Sequence, residues 1–540
     1  MQQKSHAVPQ RTRADGVHME TRPMYIEEWL DSLPYIDFSK TSKLLVEATS
    51  ETNKETVKPE ARLELIKLYN RPYQYYLQSQ IKAGAGHKLQ STETMQDQIF
   101  VLKQIAANLA QSCKVTIDEG QSRRTVWRQK KPPLPAILMQ MTYLSHILIF
   151  SYLEYSPSPA DVWRELNSLY SLAADMGQQT ATVIPLGGDA KKDATNIARA
   201  YKSILLASMV DPYHLPFGAI WEIFIQLLDW GEQARLKPFE KVSDPAGFYV
   251  IDLEGDGYPV PYGKFDPESA GKSHCLIDTT PLGAMAAKYL EQLNSGKALK
   301  EEIHLSPFYA KSILTQMELA WGEPAVRYSP RDKAEGSINV TCGLNGIYFF
   351  LNGGREFEGL EPREEEHVII DVGRINEPRA AVNQSYAMEQ WDLIDQGPGG
   401  FSIGKKDKPG IQTKVGDLIG IMRGSRGDNT DGSLALGVIR WMMVNEDKAY
   451  RMGIQTIAAD IVPAAIRAIS GSAMETRFSR AIIAGDFSPS ADNVVITGAG
   501  MFKASREYEL KVGNANLRVR SESPVEATAN FNHFIVAPLT

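Results

Sequence analysis

The sequence predicts a multidomain α+β protein in which an irregular α-helical domain precedes a β-rich remainder. At 540 residues, the chain is longer than one hydrophobic core normally supports, so two or three domains are expected. Apolar residues recur with a helical period from Pro23 to about residue 236. Strand-like runs, rich in β-branched and aromatic residues, predominate from Ser337 onwards.

The α-helical domain is predicted over residues 23–237. The segment Ser158-Pro-Ala-Asp161 predicts a helix start, because serine suits the N-cap and proline suits the first helical position. A long amphipathic run covers residues 96–113. The helical pairs have the size of TPR repeats, but the chain lacks the roughly 34-residue self-similarity of a TPR array. An irregular helical domain of TPR-like size is therefore expected.

One apolar stretch of this domain, Leu134–Leu153, has nearly the length of a membrane span. It contains Gln140, Ser145 and His146, and Pro135 stands near its start. Buried helices of large helical domains have this composition. We expect a buried helix here and no membrane span.

Three further regions complete the predicted organisation. Residues 1–22 are polar, lack a secretory signal, and are expected to be disordered. Residues 238–324 form a mixed connecting region, with a predicted hairpin across Glu254-Gly-Asp-Gly257 and two helices after it. Residues 485–540 are a β-rich C-terminal segment, which either extends the preceding β domain or forms a small lobe.

The composition narrows the functional classes. With 58 Lys and Arg against 65 Asp and Glu, the net charge is −7, which argues against general binding of DNA or RNA. Three cysteines without close spacing provide neither a disulfide scaffold nor a zinc site. These features fit a protein of the reducing cytoplasm, and we expect that localisation.

Two arginines, Arg327 and Arg331, stand four residues apart in Arg-Tyr-Ser-Pro-Arg. Pro330 disfavours a helix here, because it pushes Ser329 towards extended geometry. An irregular segment is expected to project both guanidinium groups outwards, where their planar forks suit phosphate oxygens.

A second motif, Asp395-Gln-Gly397-Pro-Gly399-Gly400, lies between two strand-like runs. Its aspartate offers one carboxylate to hydrogen-bond donors. Its glycines allow positive φ and close approach of the backbone to a flat ligand. Taken alone, this motif also fits a plain turn between strands.

The order of these motifs resembles the PilZ family, small bacterial β-barrels that bind the second messenger cyclic di-GMP. The arginine pair is followed by a strand-like run at residues 337–351, by the aspartate–glycine turn, by Leu436-Gly-Val-Ile-Arg-Trp441, and by a helix-like segment at residues 462–470. The family signatures are RxxxR and [D/N]xSxxG. The first is met in full, whereas the serine position of the second is Gly397.

The resemblance implies an antiparallel β-barrel over residues 325–470, interrupted by an insertion at residues 352–383. It also implies a set of ligand-binding residues in which the aspartate meets the donor edge of guanine: Arg327, Arg331, Asp395, Gly397, Gly399 and Gly400. The missing serine hydroxyl removes one polar contact, worth about 0.5–1.5 kcal/mol. Arg374 and Arg379, inside the insertion, are a minor alternative to the arginine pair, with a spacing that is one residue too long.

Catalytic and metal motifs are absent from the sequence as we interpret it. Asp252-Leu-Glu-Gly-Asp-Gly257 resembles the start of a calcium loop, but Gly263 stands where a bidentate glutamate is required. No HExxH, GxSxG or P-loop motif occurs. We expect neither an enzyme nor a bound metal or cofactor.

The sequence therefore predicts a bacterial receptor or effector that binds cyclic di-GMP and relays the signal through its helical domain to a protein partner. The alternative is a protein-interaction adaptor whose PilZ-like barrel no longer binds nucleotide. The partner and the oligomeric state are not predictable from the residues.

Overall fold

The computed structural model divides the chain into two compact units, residues 1–326 and residues 327–540. The two units are described separately below. The structure describes residues 7–13, 16–85, 92–122, 133–295, 303–306, 309–322, 331–355, 386–423, 434–445, 447–470, 473–474, 477–528 and 530–539.

The first unit opens with a β-hairpin of β1 (Gln10–Arg13) and β2 (Gly16–Met19), where the sequence analysis expected disorder. The hairpin is held because Val8 and Met19 are buried in the helical core, and because the Met19 amide donates a 3.0 Å hydrogen bond to Glu55 Oε1.

Within the described residues, eight α-helices follow the hairpin and contribute to one hydrophobic core. Their bounds are α1 Pro23–Asp31, α2 Phe38–Lys54, α3 Pro59–Ala85, α4 Thr92–Ser122, α5 Leu134–Leu153, α6 Val162–Asp175, α7 Ile197–Met209 and α8 Ala219–Trp230.

Helix α5 is the one described helix that is long and apolar enough to cross a membrane. In the structure, 94% of its most apolar window is buried inside the first unit. It contacts α4, α6, α7 and α8. Its histidine, His146, is also buried and lies 2.9 Å from the Tyr73 hydroxyl.

The connecting region closes the first unit with a small sheet and two helices. The hairpin predicted near residue 255 is confirmed by the pairing of β4 with β5. The sheet order is β3-β6-β4-β5, and the elements are β3 Arg235–Pro238, β4 Phe248–Asp252, β5 Val260–Pro261, β6 His274–Asp278, α9 Thr280–Asn294 and α10 Ala310–Trp321.

The second unit begins with a closed antiparallel barrel of six strands. Around the barrel the order is β8-β9-β10-β13-β12-β11 and back to β8, and the short strand β7 pairs with β9 at the rim. The elements are β7 Asp332–Lys333, β8 Ser337–Cys342, α11 Gly343–Leu351, β9 Glu389–Gly397, β10 Gly400–Lys405, β11 Leu418–Arg423, β12 Ala435–Val444 and β13 Tyr450–Ala458.

The strand predicted over residues 337–351 is only partly correct. The strand ends at Cys342, and α11 takes the rest of the run. Gly343 has a φ of +78°, a left-handed conformation that breaks the strand. The helix then places Ile347 in an apolar cluster with strands β11 and β12.

A second closed barrel of six antiparallel strands follows within the same unit. Its order is β14-β16-β17-β20-β19-β18 and back to β14, with the short β15 paired to β14. The strands are β14 Ile461–Ser470, β15 Ala473–Met474, β16 Ser479–Ala484, β17 Asn493–Gly498, β18 Glu507–Val512, β19 Ala515–Ala527 and β20 Phe531–Pro538.

The helix predicted at residues 462–470 is wrong, because this segment is strand β14 of the second barrel. It pairs with both β16 and β18, and its alternate residues Ala464, Ile466 and Ala468 are buried in the barrel core. The sequence analysis had placed this segment at the end of the first barrel. The predicted fold class, a helical domain followed by a barrel and a β-rich C-terminal region, is confirmed.

The two barrels share an interface inside the second unit. Leu436 and Val438 of the first barrel cluster with Ile482 and Phe531 of the second. A polar contact joins the same barrels at Arg440, whose guanidinium forms a two-pronged ion pair with Glu526 at 2.7 and 2.8 Å.

Candidate ligand-binding site

The hairpin between β9 and β10 contains the predicted aspartate–glycine motif. Gly397 pairs with Gly400 across a two-residue turn, and the Thr456 amide of β13 donates a 3.1 Å hydrogen bond to the Gly399 carbonyl. A Cβ atom on Gly400 would overlap the carbonyl oxygen of Ile454. Gly400 is therefore required by the close approach of β13, and the hairpin is held flat against that strand.

The structure brings Arg331 and Asp395 together, although 64 residues separate them in sequence. The Arg331 Nη1 donates a 2.9 Å hydrogen bond to Asp395 Oδ1. The two side chains remain 33% and 28% exposed, so the pair is accessible from solvent. Strand β7 enforces the contact, because Lys333 is the direct cross-strand partner of Asp395.

Three predicted residues fall outside this description. Arg327 lies outside the described residues, as do both members of the minor alternative, Arg374 and Arg379. The ligand-binding role of the whole predicted set stays a prediction, because geometry alone does not test it.

A lateral row of residues extends from Asp395 across four strands of the barrel. Ser402 pairs with Asp395, Gly453 pairs with Ser402, and Trp441 pairs with Gly453, so each neighbour lies on the same face. A Cβ atom on Gly453 would overlap the indole of Trp441. The indole thus covers Gly453 and forms an aromatic surface three strands away from Asp395.

The sequence analysis had left Trp441, Ser402 and Lys333 out of the predicted site. The usable signal was the glycine at position 453, because an aromatic side chain often packs over a glycine on the neighbouring strand. Only the strand register shows that the two residues are opposite each other.

Glu389 anchors the base of the hairpin. Its Oε1 accepts hydrogen bonds from Lys405 Nζ at 2.7 Å and from the Gly410 amide at 2.8 Å, and the Trp391 indole donates to Oε2. Burial by itself raises the pKa of Glu389, but these hydrogen bonds outweigh it and the pKa is lowered. The ionised carboxylate therefore ties β9 to β10 and to the loop after β10.

A six-stranded antiparallel barrel, an arginine before its first long strand and an acid–glycine hairpin together define a PilZ-type barrel. Family models agree with this class. The model described as the N-terminal domain of the cyclic-di-GMP receptor FimW matches residues 25–241. The model described as the middle PilZ domain of the same receptor matches residues 248–372 and 361–463. The chain therefore contains a PilZ-type domain, preceded by a domain of the FimW N-terminal type.

A curated relative supports the same conclusion over nearly the whole chain. The cyclic-di-GMP receptor FimW of Pseudomonas aeruginosa is 22% identical over an alignment of 576 positions. The alignment covers 98% of this chain and 92% of the relative. The second barrel lies almost entirely beyond the two family-model matches, but within the span of this alignment.

Proposed function

We propose that this protein is a receptor for cyclic di-GMP, which binds at the β9–β10 hairpin of the first barrel. The observation that carries the proposal is the contact of Arg331 with Asp395 beside Gly400, because two separate family signatures meet there at one solvent-accessible point. The name of the Pseudomonas aeruginosa relative supports the same ligand.

Each group at this point suits one part of the ligand. The guanidinium of Arg331, with that of Arg327, matches two phosphate oxygens in a planar fork. The carboxylate of Asp395 can accept hydrogen bonds from N1–H and N2–H₂ of guanine. The indole of Trp441 offers a flat surface on which a purine base can stack.

Binding requires an exchange of partners. In the structure, Arg331 and Asp395 form an ion pair at 2.9 Å. The guanine edge would then donate hydrogen bonds to Asp395 and a phosphate would pair with Arg331, so both side chains keep a hydrogen-bonding partner. The exposed ion pair is worth only about 0–1 kcal/mol, which is a small cost for the ligand to offset.

Ser402 is a candidate replacement for the serine that the second signature lacks. It is the direct cross-strand partner of Asp395, whereas the signature position is Gly397. Its side chain is buried, so its hydroxyl would act by orienting Asp395 more than by contacting ligand.

The output is proposed to pass through the helical domain. The arginine segment follows α10 directly in sequence, so that reordering of this segment by ligand would act on the end of the helical unit. Such a relay is a population shift driven by the different affinities of two states. We further propose a cytoplasmic, non-enzymatic protein that signals to a protein partner.

A second candidate function is that of an adaptor with a non-binding barrel. Gly397 in the serine position favours it, as does the ion pair that already occupies Arg331 and Asp395. In that case the ion pair would only stabilise the barrel.

Calorimetric titration of cyclic di-GMP into the full-length protein separates the two functions, with GTP as the control ligand. The receptor predicts a Kd of about 1 μM or tighter, which corresponds to about −8 kcal/mol, and selectivity over GTP. Absence of heat and of any thermal shift at 100 μM ligand would support the adaptor.

A further inference from the structure

We propose that the outer surface of the second barrel is a docking site for an acidic segment of a partner protein. The surface is formed by strands β14, β18 and β19 together with Phe478, and we call it the basic face. Its cations are Arg467, Lys511, Arg518 and Arg520.

The strand register places these cations on one side of the sheet. Arg467 pairs with Glu509, and Glu509 pairs with Arg518, which makes one row across three strands. Lys511 lies two residues after Glu509, and Arg520 lies two residues after Arg518. Because side chains two residues apart share a face of a strand, all four cations point to the same side.

An aromatic side chain holds two of the cations in place. The Arg467 guanidinium and the Lys511 ammonium each lie 4.4 Å from the centroid of the Phe478 ring. Cation–π contacts of this kind stabilise the positions of charges that would otherwise be mobile on an exposed surface. Arg467 is fixed further by a 2.6 Å hydrogen bond from its Nε to Glu509. The charges are therefore preorganised, which lowers the entropic cost of binding an anion.

The basic face keeps a net positive charge, with its four cations against Glu507, Glu509 and the exposed Glu522, which lies two residues after Arg520. Glu509 is paired with Arg467, and Glu507 is paired with Arg520 at 3.2 Å. Among the residues that the structure describes, neither Lys511 nor Arg518 lies within ion-pair distance of a carboxylate, and both are exposed. Two cations are thus available to an incoming acidic group.

The charge of the second barrel differs from that of the rest of the chain. Residues 461–540 contain eight Lys and Arg and seven Asp and Glu, whereas the chain as a whole has a net charge of −7. An acidic partner would be repelled by most of the protein and attracted to this face, which favours one orientation of docking.

The observations favour a protein segment over an anionic membrane as the occupant. Glu507 and Glu509 lie among the cations, and a plane of lipid phosphates would be forced against both carboxylates. A peptide can instead place its own acids next to Lys511 and Arg518 alone. Because the barrel is closed and each long strand is paired on both sides, the peptide would dock through side chains and would not add a strand.

Fluorescence anisotropy with the full-length protein tests this docking site. The probe is a fluorescein-labelled dodecapeptide of alternating glutamate and serine, whose extended form places acids on one side at the spacing of alternate strand residues. We expect saturable binding in 50 mM salt and at least tenfold weaker binding by K511E/R518E. The matched control K191E/K192E reverses two exposed loop charges in the helical unit and should stay within twofold of wild type.

Phe478→Leu removes the aromatic clamp without changing the charge, and we expect it to weaken binding about threefold by loosening Arg467 and Lys511. If K511E/R518E does not fold, K511Q/R518Q takes its place. Equal losses in the K511E/R518E and K191E/K192E variants would overturn the proposal, because net charge alone would then govern binding. It would also be overturned if vesicles containing 30% anionic phospholipid bound the basic face while the peptide did not.

Discussion

The two barrels of the second unit have the same strand order and different surfaces. In each barrel, the first three strands are consecutive neighbours and the last three return in reverse order. The hairpin between the second and third strands contains Asp395 and Gly400 in the first barrel. In the second barrel, the same hairpin contains Asp486 and Ser488, so the acid–serine spacing that the first barrel lacks is present there.

The second hairpin is nevertheless closed by its own contacts. Asn493 Oδ1 accepts a 3.0 Å hydrogen bond from the Ser488 amide, and Asn493 Nδ2 donates to the Ser488 and Ala491 carbonyls. Between Arg331 and β14, no two arginines have RxxxR spacing. The comparison shows that the topology supplies a hairpin, whereas only the added arginine segment makes that hairpin a candidate nucleotide site.

The largest expected effect is a difference in cyclic di-GMP binding between the β9–β10 hairpin of the first barrel and the β16–β17 hairpin of the second. R327A/R331A should weaken cyclic di-GMP binding at least 1,000-fold, about 4 kcal/mol, because both phosphate partners are lost. D486A in the second barrel should leave the affinity within twofold, as should R235A, which removes an exposed arginine of the helical unit. Titration calorimetry measures all three. Unchanged affinity in R327A/R331A would remove the arginine pair from the site.

The next effect is a difference in how much a glycine-to-alanine substitution in each hairpin lowers the free energy of unfolding. Gly400→Ala would force a Cβ atom onto the Ile454 carbonyl oxygen and should destabilise the first barrel by about 3 kcal/mol. Gly485→Ala, at the start of the second hairpin, has open space but a φ of +84°, and should cost about 1 kcal/mol. Urea unfolding with hydrogen exchange of β9 and β10 measures the difference. A greater cost at Gly485 would contradict this account.

The pH dependence of stability tests the interface between the barrels. Burial raises the pKa of Asp417 from its usual value to about 6, although its carboxylate accepts hydrogen bonds from Asn530 Nδ2 and from the Lys414 amide. The folded state then holds a proton that the unfolded state has released. The stabilisation is complete below about pH 4 and is lost as the pH rises through 6.

Between pH 5 and 7, this proton loss should lower the free energy of unfolding of the second unit by about 1 kcal/mol in the wild type relative to Asp417→Asn. Chemical denaturation of both proteins at the two pH values measures the difference. Identical pH profiles would show that Asp417 ionises as freely in the folded protein as in the unfolded chain.

The smallest effect concerns the ion pair that joins the barrels. A double-mutant cycle of Arg440→Met and Glu526→Gln should give a coupling of about 0.5–1 kcal/mol, since both side chains are partly exposed. The apolar interface carries more of the stability, so Phe531→Ala should cost more than the whole ion pair. A coupling of zero would show that the barrels are joined by apolar packing alone.

The sequence predicted the parts of this fold that short patterns encode. That Arg331 and Asp395 belong to one site could be predicted, because both residues are part of motifs with defined spacing. The row from Asp395 to Trp441 could not be predicted, because it depends on the register of four strands and on the bulge at Arg440 in β12. Strand β14 was predicted wrongly because several of its buried positions, such as Ala464 and Ala468, are alanines, which favour helices when the strand pairing is unknown.

The second barrel was predicted only as a β-rich segment, because its strands lack a motif and their order emerges from pairing between distant residues. Similarly, the end of the strand at Cys342 depends on the left-handed φ of Gly343, and a run of apolar residues does not report that angle.

The stoichiometry of cyclic di-GMP binding tests the comparison of the barrels most directly. Calorimetric titration of the full-length protein should show a single class of binding site, which the account places in the first barrel. The D486A variant should bind with the same stoichiometry and affinity. That site should be lost in R327A/R331A while circular dichroism and the thermal unfolding of the protein are retained. Binding that survives R327A/R331A and disappears in D486A would place the nucleotide in the second barrel and contradict the account.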